Sequence, residues 1–214
     1  IEALAEHLGA ETHHQVPVAV VRSAIARMAE AGTDLSAEQV AAVRHVVSET
    51  GRLALIQGHA GTGKSVALGA ARAAWEADGL TVVGGAIAGK AADGLAEGSG
   101  IPSRTIAAWL KRWDRGEELL TPRSVLVIDE AGMVGNAQMQ ELLRAASKSG
   151  AKLVLVGDHG QLQPIDNGTP MRALVEQVGA ATMAHIRRQR VPWQVDASRA
   201  LAAAKVSDAL DLYA

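Results

Sequence analysis

"GHAGTGKS" (Gly58–Ser65) follows the apolar run Leu53-Ala54-Leu55-Ile56 after a single Gln57 and opens the amphipathic stretch after it. It satisfies G-x-x-x-x-G-K-[ST], with Gly58, Gly63, Lys64 and Ser65 at the fixed positions. The pattern has physical meaning only between a strand and a helix, and both flanks are present. The glycines let successive backbone N–H groups turn toward phosphate oxygens, and the start of the following helix favours anions. Ala60, Gly61 and Thr62 fill the rest of the loop. Lys64 is expected to reach the β- and γ-phosphates and Ser65 to offer its hydroxyl to Mg2+. A glycine-rich turn that holds nothing would leave the Lys, the Ser and both flanks unexplained.

Outward from the loop, short apolar runs alternate with amphipathic segments. The runs are 53–56, 81–83, 125–128 and 153–156, with a weaker one at 181–183. Helices are predicted near 65–77, 90–97, 104–114, 136–148 and 170–178, and before the loop from Ala37 to about Glu49. Thr169-Pro170 suits an N-cap followed by Pro at the first helical position, and Gly179 suits the stop. Strand–helix alternation with continuously apolar strands predicts an α/β fold: a parallel sheet flanked by helices on both faces. Residues 1–34 are Ala-rich, with helical spacing from Val18 to Ala29 ended by Ala31-Gly32. They read as a short N-terminal helical lead-in, so the boundary is expected near 33–36.

SVLVIDEAG (124–132) places Asp129 and Glu130 at the carboxyl end of a buried strand, the edge where open α/β sheets bind ligands. Asp129 is expected to hold Mg2+, directly or through water. Glu130, one residue on, points elsewhere and is placed to polarise an attacking water. The rival is a pair of carboxylates that merely caps the next helix. Asp129 to Gly132 also fits D-x-x-G, but the chain has no N-K-x-D element to read guanine. LVLVGDHGQLQPI (153–165) is a strand running into Gly157-Asp158 and then Gln161. A neutral amide there can bond the γ-phosphate and lose it on hydrolysis, which makes Gln161 a candidate sensor. A solvated turn residue is the alternative.

Composition sets the limits. The 214 residues are nearly half apolar, with four Trp, one Tyr and no Phe, so the core must be aliphatic. No cysteine is present, which excludes disulfides and Cys-based zinc sites and fits a cytoplasmic protein. His7, His13 and His14 lack carboxylates at ligand spacing and do not make a metal motif. No apolar run approaches the ~20 residues that span a bilayer. The first residue is Ile rather than Met, so a fragment or processed piece is expected. A net charge of −2 means that any basic surface is local.

Together, GHAGTGKS, VLVIDEAGMV and VGDHGQLQPI resemble superfamily 1 DNA helicases of the RecD-like branch, and most of all the helicase portion of TraA/MobA-type conjugative relaxases. The resemblance spans about residues 35–214. It implies a RecA-like P-loop NTPase domain that hydrolyses ATP with Mg2+ and moves along single-stranded DNA, clamping ATP against a second RecA-like domain. LSAEQVAAV (35–43) is similar to the family's Q motif, whose Gln contacts adenine, and Gln39 matches; Ser36-x-x-Gln39 is equally a capping box. AIAGKAADGL (86–95) resembles a DNA-contacting motif through Gly89 and Lys90, and SRTIAAWL (103–110) the next one through Thr105. RecD has His two residues after that Thr, where this chain has Ala107. HIRRQR (185–190) resembles motif IV, with Arg188 in register for the arginine finger and Arg187 and Arg190 close competitors; a basic surface segment is the rival.

Trp109 and Trp113, interleaved with Lys111, Arg112 and Arg115, suggest base stacking, but their spacing of four on a helix favours a packed stripe with a solvated basic face. Trp75 and Trp193 take the same default. No second nucleotide-facing sheet follows, and Tyr213 is the only tyrosine. The expectation is therefore a first motor domain, with a second one and an upstream relaxase domain elsewhere in the protein. A RecD-type recombination helicase is the runner-up, and a non-enzymatic nucleotide switch is the rival class. A nucleotide kinase would need a lid and an acceptor pocket, and neither signature is present.

Overall fold

The computed structural model describes residues 1–158 and 170–185. Its strands are β1 (Leu53–Gly58), β2 (Thr81–Ala86), β3 (Ser103–Thr105), β4 (Ser124–Ile128), β5 (Lys152–Gly157) and β6 (Ala181–Met183). They form one sheet in the order β3-β2-β4-β5-β1-β6, and every pairing is parallel. The helices are α1 (Glu2–Ala10), α2 (Val18–Glu30), α3 (Ala37–Arg44), α4 (Lys64–Ala77), α5 (Gly89–Ser99), α6 (Ile106–Asp114), α7 (Asn136–Ser149) and α8 (Pro170–Val178). The predicted α/β architecture stands, with a third strand that the sequence reading assigned to the start of a helix.

The apolar strands are buried on both faces, and alternate residues serve different cores. Ala54, Ile56, Val125, Val127, Val154 and Val156 face α2, α3 and α4. Leu53, Leu55, Leu126, Ile128, Leu153 and Leu155 face α1, α7 and α8. One core is thus built on Ala and β-branched residues and the other mostly on Leu. The two consecutive glycines of β2 serve close packing: a Cβ on Gly84 would lie 2.1 Å from Ser103 Oγ, and one on Gly85 2.8 Å from Ile128 Cδ1.

Two predicted helices divide. Ser103–Thr105 pairs with β2 as the edge strand β3, and Thr105 then caps α6, its hydroxyl accepting from Ala108 N at 3.1 Å. A strand end and a helix cap share one residue because both want extended backbone there. The helix expected to run to Glu49 leaves α3 at Arg44 and continues as a wider π turn, His45–Glu49. That turn buries Val46 and Val47, adjacent in sequence, in the same core.

The lead-in packs on both faces of the sheet. Ala5 and Leu8 of α1 join the Leu-rich core, and Val21 and Ala24 of α2 join the other. The link between them is tied to the amino-terminal edge of the sheet. Arg52, 4% exposed, pairs with Glu11 and donates to Ala151 O. This hydrogen bond holds the Glu11 carboxyl below the usual carboxylate range. His14 contacts Pro122 O at 2.7 Å, and Val16 N donates to Val47 O at 3.0 Å.

Lys152 at the start of β5 is wholly buried, its ammonium donating to Gly51 O at 2.6 Å and Thr50 O at 3.3 Å. Burial pushes its pKa down to about 7 from the ordinary 10.5. Between those values the unfolded chain holds a proton that the folded protein has released, so folding stability should rise with pH across that window. Thermal unfolding from pH 7 to 10 should show this rise, and Lys152→Met should flatten it; parallel curves for the two proteins would refute a titrating Lys152.

Candidate functional site

Parallel strands put all their carboxyl ends on one edge of the sheet. In spatial order that edge carries Thr105 at the end of β3, Gly89 and Lys90 after β2, Asp129 and Glu130 after β4, Asp158 after β5 and the Gly58–Ser65 loop from the end of β1. The candidate residues from four separate motifs therefore line up along one side of the molecule. The loop and the carboxylates occupy the β1–β5–β4 half, and Gly89, Lys90 and Thr105 occupy the β2–β3 half.

The loop is shaped to surround an anion. Gly61 and Gly63 take φ of 85° and 82°, the left-handed region, and Gly63 is the residue before α4 begins. Thr62 is 2% exposed and closes the loop on itself, its hydroxyl donating to His59 O at 2.9 Å. Lys64 Nζ donates to Gly58 O and, at 3.0 Å, to His59 O. Ser65 sits in the first turn of α4, against Gly98 of α5, where an added Cβ would lie 2.8 Å from Ser65 Cβ.

Gln39 makes the capping box. Ser36 N donates to its Oε1 at 2.8 Å, and Gln39 N donates to Ser36 Oγ at 3.3 Å. The same carboxamide reaches the loop, Nε2 donating to Gly63 O at 3.1 Å. A Cβ on Gly63 would lie 2.4 Å from that nitrogen. Helix cap and loop are thus joined through one nearly buried amide.

Asp129 follows β4, its backbone N donating to Gly85 O at 2.9 Å. Burial raises the Asp129 pKa, while the hydrogen bond from Glu130 N and the positive charge of Lys64 act in the other direction. A buried carboxylate at a strand end is the kind of oxygen ligand that a hard cation takes. Glu130 adopts φ 53°, a left-handed conformation uncommon outside glycine. It precedes a single 3-10 turn, Ala131–Met133. Gly132 and Gly157 let the next strand end approach: a Cβ on Gly157 would lie 3.0 Å from Gly132 N.

Two contacts had no sequence signal. His59 of the loop pairs with Asp158 at 3.4 Å, joining the ends of β1 and β5. Glu38 takes Ala184 N and His185 N, each at 3.0 Å, with His185 Nδ1 at 2.7 Å. These bonds hold the Glu38 carboxyl below its usual range. The partners lie far apart in sequence, and only the strand order brings them together.

Gly89 and Lys90 are exposed at the start of α5, and Thr105 is half-buried. Trp109 is 4% exposed, donates from Nε1 to Gly84 O at 2.7 Å and stacks on Trp113 with centroids 5.9 Å apart. Trp75 is wholly buried. The packed-stripe expectation holds for Trp109, whose indole is committed to the fold. Gln161, Thr169, Arg187, Arg188, Arg190, Trp193 and Tyr213 lie outside the described residues. Among the described residues no three His, Cys, Asp or Glu side chains form a metal cluster, and no helix is long and apolar enough to cross a membrane. His7 and His13 both approach Glu11, at 2.9 and 3.8 Å, and His14 is held elsewhere.

A family model described as "AAA domain" matches residues 34–214. The chain is 45% identical over 206 residues to a probable conjugal transfer protein TraA of Sinorhizobium fredii, covering 96% of this chain and 18% of that protein. It is 49% identical over 179 residues to the conjugal transfer protein TraA of Rhizobium radiobacter, covering 84% and 16%. It is 35% identical over 159 residues to the ATP-dependent RecD2 DNA helicase of Deinococcus radiodurans, covering 72% and 22%. The chain thus spans less than a quarter of the length of each of these relatives.

Gly63→Ala combines left-handed strain with a clash on Gln39, each costing on the order of 1 kcal/mol or more. Affinity for a fluorescent ATP analogue with Mg2+ should fall by about tenfold or more. Unchanged affinity would mean that the loop shape seen here is not the one that binds.

Proposed function

The chain belongs to the AAA domain family, and from that premise we propose that it is the ATP-binding and hydrolysing motor domain of a DNA helicase, working in the cytoplasm within a conjugative relaxase. The observation that carries this is the shared sheet edge, where the phosphate loop and Asp129-Glu130 stand beside Gly89, Lys90 and Thr105. The same edge offers one half to a nucleotide and the other to a polyanion. The names and identities of the TraA relatives support the relaxase setting over a RecD-type recombination helicase.

In this proposal the backbone N–H groups from Ala60 to Ser65 hold the phosphates, and Lys64 leaves the Gly58 and His59 carbonyls for the β- and γ-oxygens. Ser65 and Asp129 hold Mg2+, which when bound neutralises charge on the phosphate oxygens. Glu130 orients the attacking water and accepts its proton. Gln39 contacts adenine, with the base replacing Gly63 O as a partner of its amide. Gln161 senses the γ-phosphate, and Arg188 serves as the arginine finger, both assigned by motif register. Residues 35–214 form the first RecA-like motor domain, and the 1–34 lead-in is the part that continues an upstream domain. Single-stranded DNA, a second RecA-like domain and an upstream relaxase domain are the partners.

The test is ATP hydrolysis with and without single-stranded DNA, for this chain and for a protein extended through the next domain. DNA-stimulated turnover in the extended protein is expected, with little from the chain alone. Lys64→Ala should abolish it, and Glu130→Gln should keep ATP binding while lowering turnover by about a hundredfold or more. ATP binding with no response to DNA in either protein would overturn the helicase assignment in favour of a switch.

A further inference from the structure

At the edge strand β3 and the helix α6 that follows it, two guanidinium groups converge on one carboxylate. Arg104, on the edge strand β3 and directly before Thr105, pairs with Glu118 Oε2. Arg112 of α6 pairs with Glu118 Oε1 at 2.9 Å and reaches Glu117 Oε2 at 3.5 Å. Arg104 lies over the Trp109 ring, 4.9 Å from its centroid. The buried, hydrogen-bonded indole is a fixed platform, so the guanidinium is held in place before any ligand arrives.

Glu118 reaches this position at φ 49°, in the left-handed region that disfavours a side chain. The hydrogen bond from Arg104 holds its carboxyl below the usual range. All three side chains remain more than a third exposed. Ordinary surface ion pairs are weak and exchange readily with other anions. A carboxylate held by one N–H from each of two arginines, one on each oxygen, occupies the place that a phosphodiester would take, since the two free oxygens of that anion can accept the same two donors.

We propose that Arg104 and Arg112 form a backbone-phosphate site for single-stranded DNA, and that Glu118 occupies it as a built-in competitor that the DNA must displace. This rests on the DNA-motor reading above and extends it by two contacts and one opposing residue. The carboxylate makes the grip weaker than the arginines alone would give, which suits a surface that must release DNA repeatedly.

Binding of a labelled oligodeoxythymidylate to the full chain, measured by anisotropy at several salt concentrations, tests this. Glu118→Gln should bind about threefold tighter or more, and Glu118→Gly, which also relieves the left-handed backbone, at least as tightly. Glu118→Asp keeps the charge and should stay near wild type. Arg104→Gln and Arg112→Gln should each weaken binding and make the plot of log K against log salt shallower by about 0.7. Melting temperatures close to wild type would show that these variants are folded. Glu118→Gln binding no tighter than wild type, or an unchanged salt slope in both arginine variants, overturns the proposal. If Lys90→Ala weakens binding while the cluster variants change nothing, only this inference falls. If neither the wild-type chain nor the protein extended through the next domain binds DNA, the motor reading falls with it.

Discussion

The hydrogen bonds between β1 and β5 set a register that runs from Leu53 opposite Leu153 to Gln57 opposite Gly157. The next pair, β4 and β5, continues it with Ile128 opposite Leu155. Because both ladders are parallel, the phosphate loop, Asp158 and Asp129 emerge side by side without any loop having to bend back. A slip of one residue would exchange the Leu-rich and Val-rich faces and break both cores at once. Core packing and site geometry are therefore fixed by the same ladder, and the site inherits the rigidity of the buried sheet.

Much of this could be read from the chain. The apolar runs gave five of the six strands, because strands buried on both faces carry an unbroken apolar signature. The loop could be read because its glycines, Lys and Ser do one job at fixed spacing. The likeness to RecD-like helicases and TraA-type relaxases is borne out by the relatives found. β3 was missed because three residues, Ser103, Arg104 and Thr105, carry no apolar pattern and lie at an edge. Helix α1 was not distinguished, since Ala5 and Leu8 give a short helix only two core positions. The contacts of Arg52, His59 and Glu38 were not legible, because each joins residues that only the strand order makes neighbours.

The polar interior is divided in the same way. Lys152 and Arg52 lie at the amino ends of β5 and β1, each answered by backbone carbonyls or by Glu11. Asp129 lies at the opposite edge, near Lys64. Arg52 ties the lead-in to the sheet through Glu11, Lys152 ties β5 to the turn before β1, and Asp129 faces the ligand edge. The capping box on Ser36 belongs to both kinds, because Gln39 stabilises its own helix and also touches Gly63. A residue with two such duties is hard to replace without disturbing either the helix or the loop.

The placement of β1 also sets the timetable of folding. Its two neighbours, β5 and β6, begin only at Lys152 and Ala181, while the strand itself ends at Gly58. At a ribosome adding roughly 5–20 residues per second, the strand waits several seconds or more for its first partner. Through that interval its apolar side chains and both hydrogen-bonding edges have no strand to meet. The helices made in the meantime, α4 above all, are local structures and form at once. They are the natural cover for β1 on one face, leaving its two edges open to pairing with other chains in the meantime.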